Sequence, residues 1–437
     1  MDIVNFSSIK KLMTQHECFW SVDSPPKTYP NKPLPENTDV VVIGGGFTGT
    51  SAALQLAKGG ARVTLLEAES IGWGASSRNG GQALSCLHHT LEQSIKIHGR
   101  ELAREMFQAA VQAANTVEQI VHDEKLDCDF VRCGNIEAAS KPAHFEALKR
   151  EQDTLHEVAG FDVSILPKSA IRSELGTDSY FGLMVNPRSG SVQPAKFVHG
   201  MAFAAERAGA DIHEGTRVLS IERIENSNGN RFIVKTERGN ISSKEVVLAA
   251  NAWAGKIVPH FRRRVLPVDS FVIATEPLSK ELAKRLIPNN RVAYDTRKVL
   301  AYYRLSPDGR MVWGGEATFK GASPQRNINI LRQGMINIFP ELADLKIDYY
   351  WSGTIGITLD ENTHAGRVDG MWYSMCYVGH GVTLATYMGQ ELANEILGKP
   401  SHNPFANLII PRMPILQGSE WMGSIGKIWY RLLDAIQ

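Results

Sequence analysis

Nowhere in this chain do about 18 uncharged apolar residues run together, so no membrane-spanning helix is expected. Cysteine is scarce and scattered. Five residues in 437 (Cys18, Cys86, Cys128, Cys133 and Cys376) form an odd set. Such a set fits reduced thiols in a cytosolic protein better than a disulfide framework. Cys128 and Cys133 have no partner ligands nearby in sequence, so no metal is expected. Neither sign of charge is in excess, with 47 Lys plus Arg against 46 Asp plus Glu. That balance gives no ground for nucleic acid or an anionic membrane as partner. Arg262-Arg263-Arg264 is too short a run to change this and reads as a solvated turn. The opening residues Met1-Asp-Ile-Val-Asn-Phe carry neither the basic nor the apolar region of a signal peptide, so the expected compartment is the cytoplasm. Internal repeats and low-complexity stretches are missing, and nothing in the composition speaks to oligomeric state.

What the chain does have is a hydrophobic content of 43%, enough for a large core and two domains. Its most informative segment begins at Asp39. Val40 to Ile43 read as a buried parallel strand, and Gly44, Gly46 and Gly49 follow at G-x-G-x-x-G spacing, with Phe47 and Thr48 between the last two. Ala52, Ala53, Leu54 and Leu56 open a helix. Ala61 to Glu67 form a second apolar strand that ends in an acid, followed by Ala68. The glycines provide a tight turn, close backbone approach to a diphosphate, and tight packing of helix on strand. The helix N-terminus points its free N–H groups at the diphosphate, and Glu67, 18 residues after Gly49, is placed to accept hydrogen bonds from a ribose diol. The unit therefore predicts a dinucleotide site. It does not separate NAD from FAD. The next loop does, by packing Gly74, Ala75, Ser76, Ser77, Gly80 and Gly81 around one Arg78 and one Asn79. Small residues there let backbone lie against a flat ring.

In these residues the chain resembles the D-amino-acid oxidase/glycine oxidase superfamily of FAD enzymes, whose members carry a G-A-S-x-R-N-G-G stretch just after the dinucleotide fold. The resemblance covers most of the chain and is greatest to the bacterial branch typified by gamma-glutamylputrescine oxidase. It implies an α/β fold in which an FAD-binding Rossmann-like domain of glutathione-reductase type is interleaved with a mixed-sheet substrate domain. The expected division is an N-terminal arm over 1–35, an FAD domain from 36–90, 186–258 and 354–400, a substrate domain from 91–185 and 259–353, and a tail over 401–437. Pro25, Pro26, Pro30, Pro33 and Pro35 exclude a helix through the second half of the arm, which Phe19-Trp20 anchors. Periodicity predicts helices near 91–125, 141–158, 195–208, 279–287, 325–338 and 384–397. Strands are expected at 216–224, 231–236, 245–250, 265–275, 298–305, 311–315, 348–353 and 372–378, with a hairpin turn at 226–230. By resemblance, the backbone of Val218 reads adenine, and Ala250, Asn251 and Trp253 return the chain to the cofactor. Gly366-Arg367 matches the family's G-R, and Gly379-His380-Gly381-Val382-Thr383 its G-[HS]-G motif at a helix N-terminus facing the flavin's pyrimidine end.

FAD carries the hard chemistry, so no catalytic triad is expected. Arg78, Asn79 and Gly80 are expected along one flavin edge, and Gly381, Val382 and Thr383 at the pyrimidine end. His380 is read either as touching substrate or flavin, or as a structural turn histidine. Tyr302, Tyr303, Arg304, Trp313 and Trp351 are expected to line the substrate pocket, with Tyr302 and Arg304 sharing one strand face and Tyr303 on the other. Arg304 is placed to hold a carboxylate; the competing reading is core aromatics plus an exposed arginine. Some relatives tether FAD through a Cys before the C-terminal motif. Residues 351–360 have none, so non-covalent FAD is expected, with His88 or His89 as the alternative tether and Cys376 as core. The oxygen-activating Lys of some relatives has no match either, which leaves the electron acceptor as oxygen or another species. Trp421, Ile425, Ile428, Trp429, Leu432, Leu433 and Ile436 make an amphipathic stripe expected to pack on the protein's own body, a membrane-surface or subunit contact being the alternative. The expected function is hydride transfer from an amine carbon to flavin, with the small-molecule amine gamma-glutamylputrescine or a related polyamine derivative first. N-methyl or D-amino acids come second. The reading from another class is a flavin-fold binding or RNA-modification protein.

Overall fold

The computed structural model describes residues 17–224, 231–315 and 323–413. The dinucleotide unit sits at the centre of an eight-stranded sheet. Strand Asn37–Ile43 lies between Val63–Leu66 and Gly239–Leu248, parallel to both. Val40, Val41, Val42 and Ile43 are all buried, as expected for a strand covered on both faces. Asp211–His213 extends the sheet beyond Val63–Leu66, and Met371–Met375 and His364–Val368 extend it on the other side. Strand Gly239–Leu248 serves two neighbours. Its first half pairs antiparallel with Phe232–Thr236, and Val247 and Leu248 pair with Trp372 and Tyr373. Helices Phe47–Lys58, Pro194–Arg207, Arg100–Asp123 and Gly381–Ile396 contribute to one shared core. At Gly49 a Cβ would stand 1.8 Å from the Gly44 carbonyl oxygen, so helix and turn can meet only through glycine.

The second eight-stranded sheet runs Ile347–Ile357, Leu266–Pro277, Arg310–Gly315, Ala301–Leu305, Val292–Asp295, Asn135–Ala138, Gly182–Asn186, Ser164–Pro167. Its strands are antiparallel except where Val292–Asp295 lies parallel to Asn135–Ala138, which joins two distant parts of the chain. A short ribbon of Gln82–Ala83 with Gly190–Ser191 stands between the sheets in sequence. The arm is tied down by Phe19 and Trp20, both buried against Ala195, Val272 and Trp351.

The single helix expected over 91–125 is two, Leu91–His98 and Arg100–Asp123. Gly99 separates them with φ +83°, a conformation no helix contains. Strand Ile347–Ile357 is longer than expected, and Asn135–Ala138, Ser164–Pro167, Gly182–Asn186 and Val292–Asp295 are strands that the sequence pattern did not mark. Among the described residues no helix is long and apolar enough to cross a membrane. The hairpin turn at 226–230 and the amphipathic stripe from Trp421 to Ile436 lie outside the described residues.

Candidate active site

The glycine turn is closed by its own backbone. The Gly44 N–H donates to the Leu66 carbonyl at 2.9 Å, and a Cβ at Gly44 would stand 2.6 Å from the Ala249 carbonyl oxygen. Both Glu67 oxygens accept backbone N–H groups, from Gly45 at 2.7 Å and Glu69 at 2.9 Å. Burial raises its pKa against those two bonds. A carboxylate has about four acceptor positions, so Glu67 keeps room for a ligand hydroxyl. The Phe47 N–H meets the Ser76 hydroxyl at 3.0 Å, while the Phe47 ring packs on Phe197. The Thr48 hydroxyl meets the Tyr377 hydroxyl at 2.6 Å. The segment after Asp211–His213 runs beside Glu67: the Glu67 N–H donates to His213, and Thr216 N–H donates to the Glu67 carbonyl. Val218 follows two residues later in the core, and Ala68 is part-exposed between the two carboxylates of Glu67 and Glu69.

The next loop is held from inside and outside. Inside, the Ser77 hydroxyl donates to Gly72, the Asn79 amide donates to Ala75 and Ser76, and its oxygen accepts the Gly81 N–H. The Asn79 side chain is therefore committed to folding the loop, not to a flavin edge. Outside, three side chains reach its carbonyls. Trp351 donates to Arg78 at 2.8 Å, Trp20 to Asn79 at 2.8 Å, and Arg304 to Gly81 at 2.6 Å. Two expectations change. Arg304 also donates to Val192 and Leu305 and lies over the Trp20 ring, fully enclosed, so it does not reach a substrate carboxylate. Trp351 is 1% exposed and is a clamp on the loop rather than a pocket wall. Both follow from a face of the second sheet that packs directly on the loop. Arg78 donates through Nε to Trp73, and its Nη1 is buried without a partner.

Ala250 follows the strand that leaves the central sheet. Asn251 holds φ +41° and accepts the Cys376 N–H through its side-chain oxygen at 3.0 Å. The Trp253 ring stands 6.5 Å from that of Trp73. Cys376 itself is buried, and burial raises the pKa of its thiol. At the C-terminal motif, Cys376, Val378 and Gly379 all have positive φ; a β-branched residue there is strained backbone. This turn presents His380 as the residue preceding helix Gly381–Ile396. Val382 and Thr383 are buried, and the Thr383 hydroxyl donates to Leu84. The His380 Nδ1 pairs with the Val378 carbonyl at 3.0 Å, and Nε2 lies 3.6 Å from the Cys86 sulfur. Burial, helped by the neighbouring His88, lowers its pKa to about 4, so the ring is neutral at pH 7 with Nδ1 carrying the proton.

The second sheet turns one row of side chains toward this region. Cross-strand register places Tyr302 opposite Tyr294, and Tyr294 opposite Glu137. All three are part-exposed, while Ala301, Tyr303, Ala293, Asp295, Ile136 and Ala138 beside them are buried. Tyr302 lies between Gly314 and Gly80, where a Cβ would come within 2.1 Å and 2.9 Å of its ring, and its hydroxyl pairs with Ser270 at 3.1 Å. Tyr303 points the other way, as alternation requires, and stacks on Trp313 with ring centroids 4.6 Å apart. Trp313 thus belongs to the far core with Phe339, not to the pocket. Tyr294, Glu137 and Cys86 were not singled out by sequence; an acid in Asn135-Ile-Glu-Ala138 reads as an ordinary surface position until the strand is placed. The Tyr294 hydroxyl donates to Glu137 at 3.2 Å and lies 3.6 Å from the Cys86 sulfur. Burial, with Glu151 nearby, raises Glu137 to about 7.

The residues fit FAD. Arg78 carries an unpartnered buried donor on the loop, and Gly74 and Gly379 have no atom within 4 Å of a would-be Cβ. Glu67 retains acceptor capacity beside a glycine turn at a helix N-terminus. A family model described as FAD dependent oxidoreductase (DAO) matches residues 39–395. Gamma-glutamylputrescine oxidoreductase of Escherichia coli (strain K12) is 31% identical over 432 residues, covering 97% of this chain and 100% of that protein. The probable oxidoreductase OrdL of Haemophilus influenzae is 32% identical over 409 residues, covering 91% and 92%. The crystal structure of glycine oxidase from Geobacillus kaustophilus superposes with a TM-score of 0.73 at 22% identity, covering 86% of this chain and 100% of that one.

Proposed function

This chain belongs to the DAO family of FAD-dependent oxidoreductases, and on that premise we propose that it oxidises the carbon–nitrogen bond of an amine, first of all gamma-glutamylputrescine or a related polyamine derivative, using FAD held without a covalent tether. The observation that carries the reading is the part-exposed row Tyr302, Tyr294 and Glu137, with Gly80 against Tyr302 and Cys86 between Tyr294 and His380. It is an aromatic wall ending in a carboxylate, with Arg304, on the same strand face as Tyr302, already bound to backbone carbonyls. That favours an amine over an amino acid held by its carboxylate. The name of the relative in Escherichia coli points the same way.

Bound FAD supplies the hydride acceptor. The chain supplies position and solvent exclusion. Trp20, Trp351 and Arg304 fix the loop that carries Arg78. The buried Arg78 donor is placed for a negatively charged or carbonyl edge of the cofactor, and Gly381 begins a helix whose N-terminal dipole favours negative charge. The tyrosine wall disfavours an ammonium and so favours the neutral, reactive amine. Neutral His380 adds no positive charge to oppose a cationic substrate. Cys376 is buried with a raised pKa, and His89 is bonded to the Asp360 carbonyl, which supports a cofactor held by non-covalent contacts.

The test is anaerobic bleaching of the bound flavin by a panel of polyamines, gamma-glutamyl amines, sarcosine and D-amino acids. Reduction by gamma-glutamyl amines at the lowest concentration is expected. Reduction only by sarcosine or D-amino acids would move the assignment to amino-acid oxidation.

A further inference from the structure

Glu137 is a carboxylate facing the site whose hydrogen-bond partner among the described residues is the Tyr294 hydroxyl. No lysine or arginine among them pairs with it. The other ionisable groups around it are Glu151, Cys86, Tyr294 and, beyond Cys86, His380. None of these is cationic at neutral pH: Glu151 is an acid, Cys86 a thiol raised to about 12, and His380 neutral. A carboxylate held among such groups is costly to ionise without a counter-charge. Its position is also specific. Register places it two strands from Tyr302, about 10 Å across the sheet, at the end of the row away from Gly80. Glu151 is already satisfied, accepting the Leu91 and Glu92 N–H groups at the start of their helix. Glu137 is the acid left with acceptor capacity.

We propose that Glu137, positioned by Tyr294, is the subsite for a second, non-reacting cationic nitrogen of the substrate, so that the enzyme selects amines with a second ammonium at their far end, whether the other terminus of a free polyamine or the alpha-ammonium of a gamma-glutamyl amine. This rests on the amine reading above and names the feature that the amine must carry. The aromatic faces of Tyr294 and Tyr302 suit the methylene chain, and the carboxylate alone takes the ammonium. An arriving ammonium supplies the missing counter-charge, so binding near pH 7 displaces the proton that Glu137 partly holds.

The experiment is calorimetric titration of the FAD-loaded enzyme with 1,4-diaminobutane and with butylamine, in two buffers of different ionisation enthalpy near neutral pH. Wild type should bind the diamine more tightly and release protons on doing so. Glu137→Gln should weaken the diamine by about tenfold or more, the scale of one charge-assisted hydrogen bond. It should leave butylamine nearly unchanged and cut the proton release on diamine binding to the level seen with butylamine. Glu137→Asp, which keeps the charge, should restore part of the preference and guards against a folding defect in the amide variant. Equal losses for both ligands, or proton release unchanged in Glu137→Gln, would overturn the subsite. Flavin bleaching on the same samples separates the two proposals. Binding with Glu137-dependent preference but no bleaching by any amine sinks the amine-oxidation reading and leaves the subsite. Bleaching without that preference does the reverse.

Discussion

The indole N–H groups of Trp20 and Trp351 donate to the carbonyls of adjacent residues, Asn79 and Arg78, each at 2.8 Å, with the two rings edge to face at 6.3 Å. One tryptophan comes from the N-terminal arm and the other from the long strand Ile347–Ile357. Remote parts of the chain thus converge on one dipeptide and set the course of the loop that presents Arg78. The arm is therefore part of what holds this loop.

Replacing either tryptophan by phenylalanine keeps most of the packing and removes one donor from a part-buried carbonyl. Each change should cost about 1–3 kcal/mol, and both should weaken FAD retention. Thermal melts and FAD loss on dilution measure the two effects. Because the rings touch, the double variant should lose less than the sum of the singles. Unaltered FAD retention in both singles would show that the loop holds its shape without the clamp.

Arg304→Met removes a buried donor from the Gly81 and Val192 carbonyls and the cation over Trp20. Loss of stability on the order of 2–4 kcal/mol is expected from two carbonyls left without that partner, with FAD retention reduced. KM should rise to a similar degree for a diamine and for a carboxylate-bearing amine. A selective rise for the carboxylate-bearing one would restore Arg304 as a substrate ligand.

Glu67→Ala should weaken FAD by about 1.5–3 kcal/mol, the value of a charge-assisted bond to a ribose hydroxyl. The structure adds a second cost, since the Gly45 and Glu69 N–H groups also lose their acceptor. Glu67→Gln retains an acceptor oxygen and should fall between wild type and alanine in a fluorescence titration with FAD. Equal affinity in all three proteins would place the ribose elsewhere.

The dinucleotide unit was legible because its signal is local: strand, glycine spacing, helix and acid all fall within 39–67. The row Tyr302, Tyr294 and Glu137 was not, because it is made by pairing across the chain. The parallel joint of Val292–Asp295 with Asn135–Ala138 brings Tyr294 to Glu137 from 157 residues away. Alternation correctly separated Tyr302 and Arg304 from Tyr303, but periodicity cannot say which face meets the loop and which the far core. Trp313 was therefore grouped with Tyr302, although it stacks on Tyr303. Arg304 was read as a ligand because a sequence carries no record of carbonyls such as Gly81 and Val192 that will claim a buried guanidinium.

Glu137 should leave a mark on stability against pH. Its folded pKa of about 7 stands above the ordinary 4.5. The folded protein therefore keeps a proton that the unfolded chain gives up, and its contribution to stability is complete below 4.5 and is lost as pH rises through 7. His380, lowered to about 4 from 6.5, acts in the opposite sense and costs stability as pH falls below 6.5. Glu137→Gln has no proton to lose, so its melting temperature should gain on wild type as pH rises from about 5 to about 8. Parallel curves for the two proteins would mean that Glu137 titrates at its ordinary value.

Flavin reduction at subsaturating substrate should speed up as pH rises. Hydride leaves a carbon only when the adjacent nitrogen can offer its lone pair, and an ammonium has none to offer. An alkyl ammonium has a pKa near that of lysine, about 10.4, so little neutral amine is present at pH 7 unless the site shifts it. The tyrosine wall is the source of that shift, since an aromatic, partly desolvated surface disfavours the charged form. Trp313 has no part in it, because it lies in the far core, and Trp351 acts only through the loop. Stopped-flow reduction between about pH 6 and about pH 10 tests this, with Tyr302→Leu and Tyr294→Leu expected to move the midpoint upward as water gains access. Glu137 also titrates near 7, so the same series in Glu137→Gln is the control. A rise preserved in that variant belongs to the amine. A rise that disappears with it belongs to Glu137, and a rate that is flat or falls with pH in wild type would count against hydride transfer from a neutral amine.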